Sequence, residues 1–266
     1  MARSVRPLRL FGHAFNLVGL LGFVVVLSWA LVALFAPHLA PHPVGEIVDA
    51  DYFGPMSREF PLGSDYLGRD MLSRVLMGTR FTVGIALAAV ALASFTGVVL
   101  GMTAAVAGGW VDTGLSRFLD ALSSIPSKLF GLVVVAGVGS SVPVLILTMA
   151  VIYTPGSYRF ARALAVNINT MDFVLAARIR GERIPYLIGS EILPNILGPV
   201  LTDFGLRFVF IVLLLSGLSF LGLGVQPPNA DWGALVRENI GGLPFGAAAV
   251  MVPSVAIASL TIAVNL

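Results

Sequence analysis

Five times in this chain the sequence runs for 20 to 31 residues without an Asp, Glu, Lys or Arg: Leu17–Ala36, Phe81–Val111, Leu129–Tyr158, Phe208–Ala230 and Asn239–Leu266. A helix needs about 20 apolar residues to cross the hydrocarbon core of a bilayer, so each run is long enough to span one. Composition agrees, with 57% hydrophobic and 11% charged residues and a mean hydropathy of +0.94. That leaves too little polar surface for a water-soluble fold and far too little charge for a disordered chain. With no cysteine, a disulfide framework is excluded too. The expected class is all-α, a polytopic membrane protein.

The first run follows Arg3, Arg6 and Arg9. A secretory signal has the same basic start, but its apolar core is about 7–15 residues, so residues 17–36 read as a retained first transmembrane helix behind an N-terminal stretch, 1–16. Leu129–Tyr158 is 30 residues, too long for one ordinary span and too short for two. Orientation decides it. A single span would carry Arg159, Arg162, Arg178, Arg180 and Arg183 to the outer side, against the positive-inside rule. A hairpin over Leu115–Ala163, broken at the Gly137–Pro143 cluster, returns them to the cytoplasm. Lys and Arg then number ten inside and five outside. The expectation is six transmembrane helices with both termini cytoplasmic.

Two segments stand outside the spans. Residues 37–80 form an outer loop opening with Pro37, Pro41 and Pro43, where a continuing helix is disfavoured. Near its end, Met71, Leu72, Val75 and Leu76 fall on one helical face and Arg69, Asp70, Ser73 and Arg74 elsewhere, which predicts an amphipathic interfacial helix. The inner segment, 167–195, carries helix signals: Asn169 or Thr170 as a cap, Asp172 in the first turn, Gly181 at the end, then a short piece ending at Pro194. Residues 81–266 are the core, with five of the six spans and this loop.

Catalytic chemistry is missing. No phosphate-cradling Gly-rich loop exists, and the only lysine, Lys128, sits in Ile-Pro-Ser-Lys-Leu. His38 and His42 are four apart, but Pro41 breaks the helix that would align them as metal ligands. Basic residues are scattered singly, which argues against nucleic acid. Asp120 and Lys128 are eight apart, about 12 Å along a helix, too far to pair. Lys128 is a candidate pathway-lining residue, with Pro126 and Ser123-Ser124 able to loosen the helix beside it. Gly97 and Gly101 have the spacing of a close helix crossing, within the subunit or at an interface. Trp232 reads as an interfacial anchor.

Three motifs, in order along the chain, carry a resemblance. Leu175-Ala-Ala-Arg-Ile-Arg-Gly181, followed by Leu193-Pro194, resembles the EAA loop of ABC importer permeases. Pro61-Leu-Gly-Ser-Asp-Tyr-Leu-Gly-Arg-Asp70 and Ser219-Phe-Leu-Gly-Leu-Gly-Val-Gln-Pro-Pro228 with Trp232-Gly233 resemble the dipeptide/oligopeptide/nickel branch, C-type subunit. The chain departs from the pattern at Leu175, where the loop usually begins with Glu, and its sequence stops at Asn265-Leu266 before the family's acidic-basic tail segment.

The resemblance implies a permease subunit in a bacterial inner membrane, surrounded by lipid. Its partners would be a second homologous permease, two ATP-binding subunits that hold ATP and Mg, and a periplasmic binding protein. This chain itself would need no cofactor and no metal and would not be an enzyme. The loop would dock on an ATP-binding subunit through Phe173, Ala176, Ala177, Arg178, Arg180, Gly181, Leu193 and Pro194, with the small residues where the partner approaches. The 37–80 loop would be periplasmic. An ion-coupled secondary transporter is the alternative; it would need inward-facing acids or paired broken helices, and none is evident.

Overall fold

Apolar, uncharged sequence becomes mostly helix, but the helices are not centred where the charge-free runs are. A computed structural model describes residues 8–10, 13–15, 17–48, 52–245 and 248–266. Arg3 and Arg6 lie outside the described residues, as do Gly246 and Ala247 of the last apolar run. Ahead of the first helix, β1 (Leu8–Leu10) and β2 (His13–Phe15) form a small antiparallel pair with Leu8 opposite Phe15. It is a two-stranded exception to an otherwise helical chain. The long helices are α1 (Leu17–Leu39), α2 (Met71–Ala107), α5 (Val142–Asn169) and α8 (Leu193–Phe220).

Among the described residues four helices are long and apolar enough to cross a membrane, the last of them running unbroken from Ile184 to Phe220. A bent pair, α3 (Gly109–Ser123) and α4 (Ser127–Val138), which meet at 80°, is long and apolar enough to be a fifth span if the two are taken as one. Pro126, which has no N–H to continue the ladder, stands at the break. The expected hairpin turn is present, since α4 ends at Val138 and α5 begins at Val142. The last apolar helix, α10 (Ala248–Val264), has 17 residues and follows a 3₁₀ turn over Ile240–Phe245.

Three sequence expectations about the helices are corrected. Helix α1 continues through Pro37 to Leu39 rather than stopping before it. Pro37 falls in the last turns, where little of the ladder lies downstream to be broken. The charge-free run Phe208–Ala230 is not one span: α8 ends at Phe220, and the helix reaches back past Asp203 and Arg207. Those two pair at i,i+4, Arg207 Nη2 donating to Asp203 Oδ1 at 2.9 Å, so the helix carries no net charge there.

The amphipathic helix is also not a separate interfacial element, because it forms the first turns of α2. Its polar residues are buried, with Arg74 1% and Asp70 2% exposed. Asp70 caps α2, accepting from the backbone N–H groups of Leu72 (3.2 Å) and Ser73 (3.1 Å). Arg74 Nη1 donates to Asp65 Oδ2 at 2.6 Å and to Glu238 Oε2 at 2.8 Å, and Arg69 reaches the same two carboxylates. Two acids against two cations make burial tolerable.

The chain divides into two units, residues 1–84 with 219–266, and residues 85–218. In the first, α1 lies close against α10: a Cβ on Gly22 would stand 2.6 Å from Ala263 O, and Trp29 Nε1 donates to Ser259 Oγ at 3.0 Å. Helix α9 (Trp232–Asn239) is capped by Asp231, whose Oδ1 accepts from Gly233 N (2.9 Å) and Ala234 N (3.2 Å). Its Oδ2 accepts from Ser219 Oγ at 2.7 Å and Val225 N at 3.1 Å. Complete burial pushes the Asp231 carboxyl above the ordinary carboxylate range, against the pull of these four donors. Trp232 is fully buried, its Nε1 donating to Val75 O at 3.2 Å, so it is a core residue of this unit and not an interfacial anchor.

In the second unit, α2 crosses α5 with Gly97 and Gly101 at the contact. Arg162 on α5 makes a two-point pair with Asp112 on α3, the second bond being Nη2 to Oδ2 at 2.6 Å. The loop expected to meet a partner hangs from the end of α5.

Candidate functional site

Helix α5 ends at Asn169, and after Thr170 and Met171 a short helix, α6 (Asp172–Ile179), begins. Asp172 occupies its first turn as the sequence suggests. Neither Asn169 nor Thr170 caps it, because Met171 holds the N-cap position and no side chain bonds there. Asn169 does different work. Its Nδ2 donates to Ala105 O at 3.0 Å, and its Oδ1 accepts from Arg178 Nη2 at 2.7 Å. Arg178 Nη2 also donates to Val106 O at 3.2 Å. The two side chains thus satisfy carbonyls in the last turn of α2, which have no partner within that helix.

The far end of α6 is closed by Gly181 at φ +83°. Gly181 N donates to Arg178 O at 2.9 Å and Glu182 N to Ala177 O at 3.2 Å, the paired pattern of a Schellman turn. A Cβ at Gly181 would meet nothing within 4 Å. Backbone conformation alone demands glycine, at about 1–2 kcal/mol for most other residues.

After the turn, α7 (Ile184–Tyr186) leads through a π-helical turn, Leu187–Ile192, into α8. Pro194 therefore stands in the first turn of α8 and does not end a short piece. A widened turn just before a proline relieves its clash with the preceding carbonyls.

The eight loop residues singled out from sequence separate into two groups. Ala177 is completely buried with Val174 in this unit's own core, against Val98, Met102, Val106 and Ala161. Its small side chain lets α6 sit close to the chain's own helices and leaves it no exposed surface. Leu193 packs at the edge of the same cluster. Arg178 is tied back to α2. Phe173, Ala176, Arg180, Gly181 and Pro194 remain exposed. Beside them stand the exposed apolar residues Met171, Leu175, Ile184 and above all Ile179, 88% exposed.

Lys128 lies in the first turn of α4, just past the 80° break, with its side chain exposed. Among the described residues no cluster of three metal-binding side chains occurs.

A multi-pass helical membrane protein with one braced loop between two of its longest helices is the class this architecture defines. Residues 97–266 match the family described as binding-protein-dependent transport system inner membrane component, and the chain belongs to that family. The dipeptide transport system permease protein DppC of Haemophilus influenzae is 32% identical over 98% of this chain and 91% of its own length. The glutathione transport system permease protein GsiD of Pectobacterium atrosepticum is 31% identical over 99% and 89%. The probable D,D-dipeptide transport system permease protein DdpC of Escherichia coli K12 is 34% identical over 81% and 72%.

The chain is thus a permease subunit of a binding-protein-dependent ABC importer, a multi-pass protein of the inner membrane. A permease subunit is not itself an enzyme. Such a system includes a substrate-binding protein and ATPase partners. The ion-coupled secondary transporter is set aside by this membership.

Proposed function

We propose that this subunit forms half of a translocation pathway for short peptides, beside a second homologous permease, above two ATP-binding subunits that hold ATP and Mg. Peptides are favoured as cargo by the names of its relatives, which transport dipeptides, D,D-dipeptides and glutathione. Six crossings, counting the bent α3–α4 pair and α10, with both termini cytoplasmic, put the 167–195 loop on the side of the ATP-binding subunits. Residues 1–16 are then cytoplasmic, residues 37–80 periplasmic and residues 81–266 the permease core. Lys128 lines the pathway on this reading, because an ammonium in a span needs water or a partner.

One observation carries the docking assignment. Helix α6 is locked to its own unit on one side and presents Phe173, Leu175, Ile179 and Arg180 on the other. Exposed apolar residues ringed by cations fit a groove of a partner, in the manner of a helix laid in a cleft. Ile179→Glu tests it. The side chain is almost fully exposed, so the subunit still folds. Retention of the ATP-binding subunits during purification of the complex should fall about tenfold, the effect of about 1.4 kcal/mol at an interface anchor. Full retention with undiminished transport would place the docking surface elsewhere.

A further inference from the structure

A cavity of about 200 Å³ opens beside the break between α3 and α4, walled by α5 and α8. Its polar lining is Ser123, Ser127, Tyr153, Arg159 and Arg207, with no carboxylate among the lining residues. Irregular backbone at membrane depth is tolerated where it lines a cavity that holds water. Arg207 stands midway along α8 and faces Gly156, itself midway along α5. A Cβ at Gly156 would overlap Arg207 Nη1, so the glycine lets the guanidinium lie close against α5. Asp203 takes the Nε and Nη2 donors of Arg207, and Nη1 has no hydrogen-bond partner among the described residues. Arg159 is nearer the inner end of α5, and its contact with Asp120 is long at 3.4 Å, both side chains being more than half exposed. Such a pair is weak and leaves the second guanidinium available.

We propose that this cavity holds a carboxylate of the solute in transit, gripped by Arg207 Nη1 and Arg159 with the hydroxyls of Ser123, Ser127 and Tyr153 around it. The inference rests on the peptide reading above and names the group of the peptide that is recognised, its C-terminal carboxylate. Size fits a subsite: ligand pockets usually hold about 300–1,000 Å³, so this one takes a carboxylate and its neighbouring atoms but not a whole peptide. The charge fits as well. Asp203 neutralises Arg207 from behind, so the site holds an anion without becoming a strong trap, as a pathway requires. As mere structure the pair would be a poor choice, since apolar residues would pack mid-span without the desolvation cost.

The test uses the complete transporter with its binding protein in proteoliposomes, given saturating Ala-Ala or its C-terminal amide. Affinity of the binding protein for each is measured separately. Arg159→Gln removes the exposed cation, and Asp203→Asn with Arg207→Gln removes the deep pair together, so no lone buried charge is left to disrupt folding. Wild-type complex should carry the acid about tenfold faster than the amide, the range of a charged hydrogen bond, and each variant should bring the ratio near one. An unchanged ratio in both variants overturns the site. So does loss of both substrates in parallel, which is what a purely structural pair would give. Failure of the wild type to carry either compound, with no binding of either to its binding protein, would instead overturn the peptide reading and this site with it.

Discussion

Replacing Gly97 or Gly101 in α2 by alanine tests whether the α2–α5 crossing is as close as it appears from these two positions. A Cβ at residue 97 would lie 2.5 Å from Ser157 Cβ and 2.8 Å from both Thr154 O and Tyr158 N. At residue 101 it would lie 2.7 Å from Tyr158 O and 2.9 Å from Arg162 N. Carbon atoms pack comfortably at about 3.5–4.0 Å, so the helices must part by about 1 Å. Most of the obstructing atoms are backbone, which cannot swing aside. Overpacking of this kind costs about 1–3 kcal/mol. Parting the helices also strains the Thr96–Thr154 hydroxyl bond, 3.0 Å long, worth about 0.5–1.5 kcal/mol. Alanine returns about 1 kcal/mol of helix propensity, so the net loss is about 1–3 kcal/mol for each.

Gly84, in the same helix, is the control, because a Cβ there meets nothing within 4 Å and Gly84→Ala should be neutral or stabilising. The assay is thermal unfolding of the purified subunit in detergent, where the loss corresponds to about 2–12 °C. If Gly97→Ala and Gly101→Ala melt with Gly84→Ala, the crossing is not tight. Were the two glycines instead at the contact with the second permease, the isolated chain would melt normally and only the complex would dissociate.

Arg74→Met should destabilise the subunit by about 3–5 kcal/mol, because it leaves Asp65 and Glu238 buried with one cation between them, whereas Arg58→Met on the exposed loop should change little; equal melting temperatures of the two variants would refute the buried network. Cysteines at Ser57 and Asn229 should react with a membrane-impermeant reagent from outside and one at Thr170 should not, with labelling of position 170 in sealed right-side-out vesicles refuting the six-span orientation. Thr170 is the better inner probe, since Asn169 is needed to brace the loop.

The sequence reveals spans and turns more readily than it reveals which charges are inside. A run without charge marks α1 closely and most of α2, and the Gly137–Pro143 cluster marks the hairpin turn, because both depend on neighbours in sequence. Arg74 looks like the polar side of a surface helix until its partner appears, and Glu238 is 164 residues away. The run Phe208–Ala230 misplaces α8 for a related reason. Asp203 and Arg207 cancel one another within one helical turn, and a count of single charges cannot see that. In the loop, α6 is eight residues long and apolar on both sides, so periodicity does not choose between Ala176 and Ala177 as the inward residue. Packing against Met102 and Val106 makes that choice, and those residues lie on another helix.

Those same packing choices bear on how a push at the loop would travel. If an ATP-binding subunit moves α6, the force meets no slack on the inward side. Val174 and Ala177 are seated in the core, and the helix is pinned to α2 by Arg178 with Asn169. The pins are the groups that complete the last turn of α2. Pulling α6 away would leave the Ala105 and Val106 carbonyls without these partners, and a charged hydrogen bond is worth about 1.5–3 kcal/mol, so the C-terminal end of α2 is held to α6 as it moves. Helix α5 is bound in as well, since only Thr170 and Met171 separate it from α6 and since it crosses α2 with no gap at Gly97 and Gly101. A displacement at Ile179 would then pass to the C-terminal ends of α2 and α5 and would not be absorbed in a flexible linker.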